Sequence, residues 1–357
     1  MNDLTTALAT LGGVVLAGVV AHGAWQAKKA GPKRATAPER EEPSASAPLA
    51  GSESDPDGDG DGDDGIGIGI EPSFAPVRRL SKRLPLPIDA LIDAVAPIAL
   101  DAPTSGDALL AHLPRQRRVG SKLLLIEGLN VAGEHWEAPV AGGRYAELQA
   151  GVQLANRNGP LNEIEYSEFV QSIQALADSL GAGIETPDML DVMARARELD
   201  AFASEHDAQL AVHLHARGAA WSVGYIQQHA RRHGFVPGVV PGRLVYPAVE
   251  EGAPPVLTLT FDSQAALADD PDHAAVRDVT LAFDVPQTEA AALPFDAWQA
   301  ASQALAVGMD AAIVDDHQRP LSAEGFAAIG KELAALYEAL ASHDLAAGSP
   351  AARRLFS

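Results

Sequence analysis

FDAWQAASQALAVGMDAAIVDDHQRP, residues 295–320, decides the fold, because an earlier part of the chain has the same layout. EYSEFVQSIQALADSLGAGIETPD, residues 165–188, is also an amphipathic helix containing QALA, then a turn and a brief strand, centred on Ile184 there and on Ile313 here. Alternating strands precede them, AELQAGVQLAN (146–156) and DVTLAFDVPQ (278–287). Second helices follow, ending in EHD (205–207) and SHD (342–344). Further upstream, PIDALIDAVAPIAL, SGDALLAHL and KLLLIEGL run parallel to AQLAVHLHA, WSVGYIQQHARRHGF and GRLVYPA. This self-similarity predicts two tandem modules, 87–207 and 208–345, with a tail over 346–357.

Within the second module, Phe295, Trp298, Ser302, Leu305 and Met309 step by three and four, as do Phe326, Ile329, Leu333, Leu336 and Leu340. Each set is one apolar helical stripe, and Ser322 is placed to cap the second helix. LTLTF (257–261) and VTLAFDV (279–285) alternate apolar and polar residues, as strands with one covered and one open face do. The expected class is α+β: antiparallel sheets with helices on one face, in the split β-α-β order of the ferredoxin-like kind.

The chain has 357 residues, 47% hydrophobic, enough for two or three domains. It has no cysteine, which excludes disulfides and thiolate zinc sites. Its net charge of −22 would repel a phosphate backbone, so no nucleic-acid partner is expected.

No charged residue lies between Asp3 and Lys28, and Leu4–Trp25 reads LTTALATLGGVVLAGVVAHGAW. About 20 apolar residues span a bilayer as a helix. Leu4, Leu8, Leu11, Val14, Val15, Leu16, Val19 and Val20 supply the apolar surface, and Trp25 stands where an interfacial aromatic belongs. A cleaved signal would need its cations first. Here Lys28, Lys29, Lys33 and Arg34 follow the apolar run, so residues 1–27 are expected to be a single-pass membrane anchor, N-terminus out and C-terminus in. Residues 28–86 have the composition of a disordered acidic linker with a reach of roughly 40–45 Å. The run DPDGDGDGDDG (55–65) lacks the twelfth-position acid and flanking helices of a calcium loop.

Asp315, Asp316 and His317 could form an acid–base centre or the polar end of a buried strand. The first module has Glu185-Thr186-Pro187-Asp188 at that place, which favours loop polarity. His213, His215, His229 and His233 have spacings that could ligate a metal but no local acidic partner, so they read as surface or rim residues. Arg115, Arg117, Arg118 and Lys122 make a basic spot, read as a solvated loop or a membrane-facing contact. Nucleotide, serine-hydrolase and zincin motifs are absent. No cofactor, metal, small-molecule substrate or enzymatic activity is expected.

AHGAWQAKK (21–29), DDGIGIGIEP (63–72), HGFVPG (233–238), VTLAFDVP (279–286) and AAIVDDHQRPLS (311–322), taken in order, resemble the ZipA family of membrane-tethered bacterial division proteins. The resemblance implies a non-enzymatic adaptor at the division septum, binding the C-terminal tail of FtsZ by apolar contact on the open sheet face of the second module. It places Thr280 and Ala282, Thr258 and Thr260, and Arg243 and Val245 in that groove. The first strand adds either Ala211, His213 and His215 or Val212 and Leu214. The former set is preferred, because Leu210, Val212 and Leu214 read as core. The family's groove is lined by large apolar residues. A loss of roughly 100 Å2 of such surface here would weaken binding by about 2.5 kcal/mol. The family also has one such domain, so the first module is a degenerate copy, a second tail-binding site or a packing partner. An envelope scaffold with another partner, or an enzyme using Asp315, Asp316 and His317, are the alternative functions.

Overall fold

A computed structural model describes residues 87–357 apart from 251, 269 and 271–273. The expected anchor and linker lie outside the described residues. Among the described residues, no helix is long and apolar enough to cross a membrane. The fold is mixed α+β, with two six-stranded antiparallel sheets in succession.

The first sheet begins with β1 (Asp93–Ser105), and α1 (Gly106–His112) leads to β2 (Arg118–Val119) and β3 (Lys122–Asn130). It continues through β4 (Trp136–Glu137) and β5 (Arg144–Gln153) to a small hairpin, β6 (Ala155–Asn156) and β7 (Gly159–Pro160). Then come α2 (Glu163–Leu180), β8 (Gly183–Ile184) and α3 (Met189–His206). The second sheet starts with β9 (Gln209–Ala216), α4 (Val223–Arg232), β10 (Val236–Pro237) and β11 (Arg243–Tyr246). It goes on with β12 (Leu257–Thr260), α5 (Ser263–Ala266), β13 (Asp278–Asp284), α6 (Pro294–Met309) and β14 (Ala311–Val314). Helices α7 (Ala323–Ser342) and α8 (Pro350–Leu355) close the chain.

Strand order is β2-β3-β5-β1-β8, with β4 on β3, and β10-β11-β12-β13-β9-β14. In both sheets the first strand lies between the strand that follows the hairpin turns and the short strand after the long helix. By this order KLLLIEGL in β3 occupies the place of LTLTF in β12, not of GRLVYPA as the sequence parallel suggested. GRLVY is one strand further out, in β11.

Local signals explain the helices. Asn162 and Glu165 form a reciprocal capping box at α2, which ends at Gly181 with φ 64°. Pro294 opens α6, and Ser322 Oγ accepts from the Gly325 N–H at the start of α7. The α6 stripe is buried, with Trp298 fully enclosed between Phe283 and Phe326 and its indole N–H donated to Leu281 O at 3.0 Å. Tyr145, Phe169, Ile173 and Leu176 centre the corresponding core of the first sheet.

A third core joins the two halves, which belong to one compact unit. Residues 346–357, marked by the sequence only as a tail, carry α8, whose Ala352 and Leu355 pack with Phe356 against Ile92, Ala155 and Ala203. Arg354 there makes a buried bidentate ion pair with Asp93. Lys122 is not part of a solvated loop. It is 1% exposed, and its ammonium donates to Ser121 Oγ, Asn156 Oδ1 and Gly159 O. Three donors meet three acceptors, which is what a buried ammonium requires.

Candidate functional site

Period-two alternation sorts the second sheet into two faces. Leu244, Leu257, Leu259, Leu281, Val212 and Leu214 point into the core. The opposite face is built by register. Val245, Thr258, Ala282 and Ala211 form one row across four strands. Arg243, Thr260, Thr280 and His213 form the next, and His215 faces Asp278 beyond it. All the groove residues nominated from the sequence therefore share one face, with Ala211, His213 and His215 on it and Val212 and Leu214 in the core. Ala282, 8% exposed, is the most enclosed of the set.

The first row is small and apolar apart from Thr258, whereas the second is polar and internally bonded. His213 Nδ1 is 3.0 Å from Thr280 Oγ1, and Nε2 is 2.8 Å from Asp316 Oδ1. The Asp316 carboxylate raises the His213 pKa above the ordinary imidazole value, against the opposing effect of burial. His215 Nδ1 is 2.7 Å from Asp278, and an Arg243 N–H reaches Thr258 Oγ1 at 3.3 Å. At the other end, Asp284 faces Gln209, and Arg157 from the turn between β6 and β7 contacts it at 2.7 Å while also pairing with Asp207 at 2.6 Å. The first half of the chain thus bounds the face of the second.

Asp315 and Asp316 turn to different partners. Asp315 accepts from the N–H groups of His317 and Arg319 and from the Arg319 guanidinium. Burial would raise its pKa, but these bonds hold it below the usual carboxylate range. Asp316 turns to His213. Thr280, His213 and Asp316 have the order of a nucleophile, base and orienter. Thr280, however, sits in an interior strand whose backbone N–H groups belong to the ladder, so the sheet offers no oxyanion donors there. His229 packs on Tyr225 at the end of α4 and does not join His213 or His215. Among the described residues, no cluster of His, Asp and Glu is placed to hold a metal.

The equivalent face of the first sheet is partly filled by the chain itself. Gly151 lies between Val95 and Leu125, and a β-carbon there would stand 3.0 Å from Ile88 Cγ2. The Ile88 N–H donates to Glu127 Oε1 at 3.0 Å, and Gln153 Nε2 donates to Arg354 O at 2.7 Å.

Sequence reasoning missed Asp278, Asp316 and Arg157 as members or borders of the second face. The parity of VTLAFDV set Asp284 beside Thr280 and Ala282, and the same parity extends to Asp278. Arg157 had no local signal, because it arrives from the other sheet. Comparison with protein-family models and with curated proteins finds no match.

Proposed function

We propose that this chain is a bacterial cell-division adaptor of the ZipA kind, tied to the inner membrane by residues 1–27 and binding the C-terminal tail of FtsZ. In this reading the two sheets are tandem split β-α-β modules, 87–207 and 208–345, and only the second keeps a receptive face. The observation that carries it is the register. Residues nominated strand by strand fall on a single face in aligned rows, whereas the chain itself partly fills the first-sheet face.

The physical match is that of a short amphipathic helix to a shallow floor. Val245, Thr258, Ala282 and Ala211 receive its apolar side. Arg243 and His213 stand along one flank for a carboxylate, with Arg157 at the end. Small floor residues bury little area, so affinity depends on close approach rather than on deep pockets.

The test is fluorescence anisotropy of a labelled tail peptide from the host's own FtsZ, titrated with the full chain. Ala282→Asp puts a desolvated charge at the most enclosed position and is expected to weaken binding at least tenfold, with the circular dichroism spectrum unchanged. Asp315→Ala is expected to leave it unchanged. Absence of saturable binding by the folded wild type would sink the adaptor reading, and an equal loss with Asp315→Ala would move the contact to the 315–320 loop.

A further inference from the structure

The edge of the second sheet carries an apolar strip outside the groove. Strands β10 and β11 form a hairpin with its tip over Gly238–Gly242, and Val239 and Val240 at the tip are 102% and 54% exposed. Val236 and Tyr246 on the legs are exposed too, as is Val249 just past β11. The tip is a built turn. The Gly238 N–H donates to Arg243 O at 2.8 Å and the Arg243 N–H to Val240 O at 3.1 Å. Gly242 takes φ +76° where a β-carbon would stand 2.6 Å from Phe261 O. The valines therefore project from a fixed loop.

The charge around this strip is opposite to that of the rest of the chain. No Asp or Glu occurs between Asp207 and Glu250, in a protein with 48 acidic and 26 basic residues. Arg231 and Arg232, both exposed, stand at the root of the hairpin, and exposed Arg243 borders its tip. Of the flanking carboxylates, Asp262 caps α5 through the Gln264 N–H, and Glu250 pairs with Arg353.

Backbone chemistry narrows the occupant. β10 is two residues long and includes Pro237, with Pro241 and Pro247 beside β11. Proline has no N–H to donate, so this edge is blunted against addition of a further strand. A projecting tip is convex and offers no groove to a helix. What remains is side-chain chemistry, with aliphatic groups between guanidinium groups and a tyrosine alongside. That is the composition that seats in the headgroup layer of an anionic bilayer.

We propose that the β10–β11 hairpin inserts Val239 and Val240 into an anionic lipid surface, with Arg231, Arg232 and Arg243 against the headgroup phosphates. The contact shares Arg243 with the tail-binding face and otherwise does not rest on it. It would hold the second sheet against the membrane by its edge.

The chain has no cysteine, so Val239→Cys gives a unique site for a spin label. The labelled full chain is mixed with phosphatidylcholine vesicles or with vesicles of phosphatidylcholine and phosphatidylglycerol in equal parts, and depth is read by collision with oxygen and a nickel chelate. On the anionic vesicles the label is expected roughly 5–10 Å into the interface. On neutral ones it should stay aqueous, and a label at Val307, 86% exposed on α6, should stay aqueous on both. Arg231→Glu with Arg232→Glu should weaken the immersion by at least about fivefold per arginine. An aqueous label at 239 on anionic vesicles overturns the proposal, and so does immersion indifferent to lipid charge. A label that becomes buried only when the FtsZ tail peptide is added overturns it as well and assigns the hairpin to a protein partner. Tail binding by the same labelled protein, read by anisotropy, reports on the groove independently.

Discussion

His213 lies between Thr280 and Asp316, with Asp278 and Asp315 also contributing to its field. Protonated, it donates from Nδ1 to Thr280 Oγ1 and from Nε2 to Asp316 Oδ1. Its folded pKa is raised, so the pair stabilises the fold fully below the unfolded value of about 6.5. That contribution is lost as pH rises through the folded pKa. His213 and Asp316 side chains are 25% and 35% exposed, so water screens the pair and its worth is about 0.5–1 kcal/mol. Asp316→Asn is expected to bring the His213 pKa, followed by NMR, down toward the ordinary value. It should also lower the urea midpoint relative to wild type near about pH 6 and make little difference near about pH 8. A midpoint difference that grows with pH would mean that Asp316 acts through something other than His213.

At the scale of the element, the sequence patterns carry more than strand positions. VTLAF and LTLT alternate because one side of the second sheet faces solvent. KLLLIEGL does not alternate, since Leu123 and Leu125 lie under partial cover on the face opposite Leu124 and Ile126. A strand covered on both faces reads as a continuous apolar run, and that run is what drew β3 into a false parallel with GRLVYPA. Alternation therefore made the open face legible, down to the choice of Ala211, His213 and His215 over Val212 and Leu214. What fills the other face was not legible, because the Gly151–Ile88 contact joins a strand interior to a segment far upstream. Gly151→Val tests that contact. Its added methyl groups collide with the Ile88 side chain, whose nearest carbons stand 3.0–3.2 Å from the β-carbon position. A cost of about 1–3 kcal/mol is expected, with faster hydrogen exchange at the Ile88 N–H as the segment lifts. Unchanged exchange would mean that the sheet, not the segment, gives way.

Over the whole molecule, the two sheets are held together by residues that no local pattern announces. Two arginines stand in the last turn of the short helix α8, in a segment that the sequence marks only as a tail. Arg354 is 3% exposed, and its partner Asp93 lies 261 residues away. Around that pair, Leu340, Leu345, Ala352, Leu355 and Phe356 bury against Ile92 and Ala203, so the end of the second half becomes core for the first. Removing one partner of such a pair leaves an unpaired buried charge, which costs about 3–5 kcal/mol. Arg354→Ala should lose that much stability in chemical denaturation. Asp93→Ala alone should lose a similar amount, and the double substitution less than the sum, since it strands no charge. Because the pair and its core join the halves, the single Arg354→Ala substitution should also split one cooperative transition into two. The first-sheet probe Tyr145 and the second-sheet probe Trp298 would then unfold at different denaturant concentrations. If both probes still report one coincident transition at the lowered midpoint, the coupling lies in the apolar contacts of α8 and in Arg157, not in the buried ion pair.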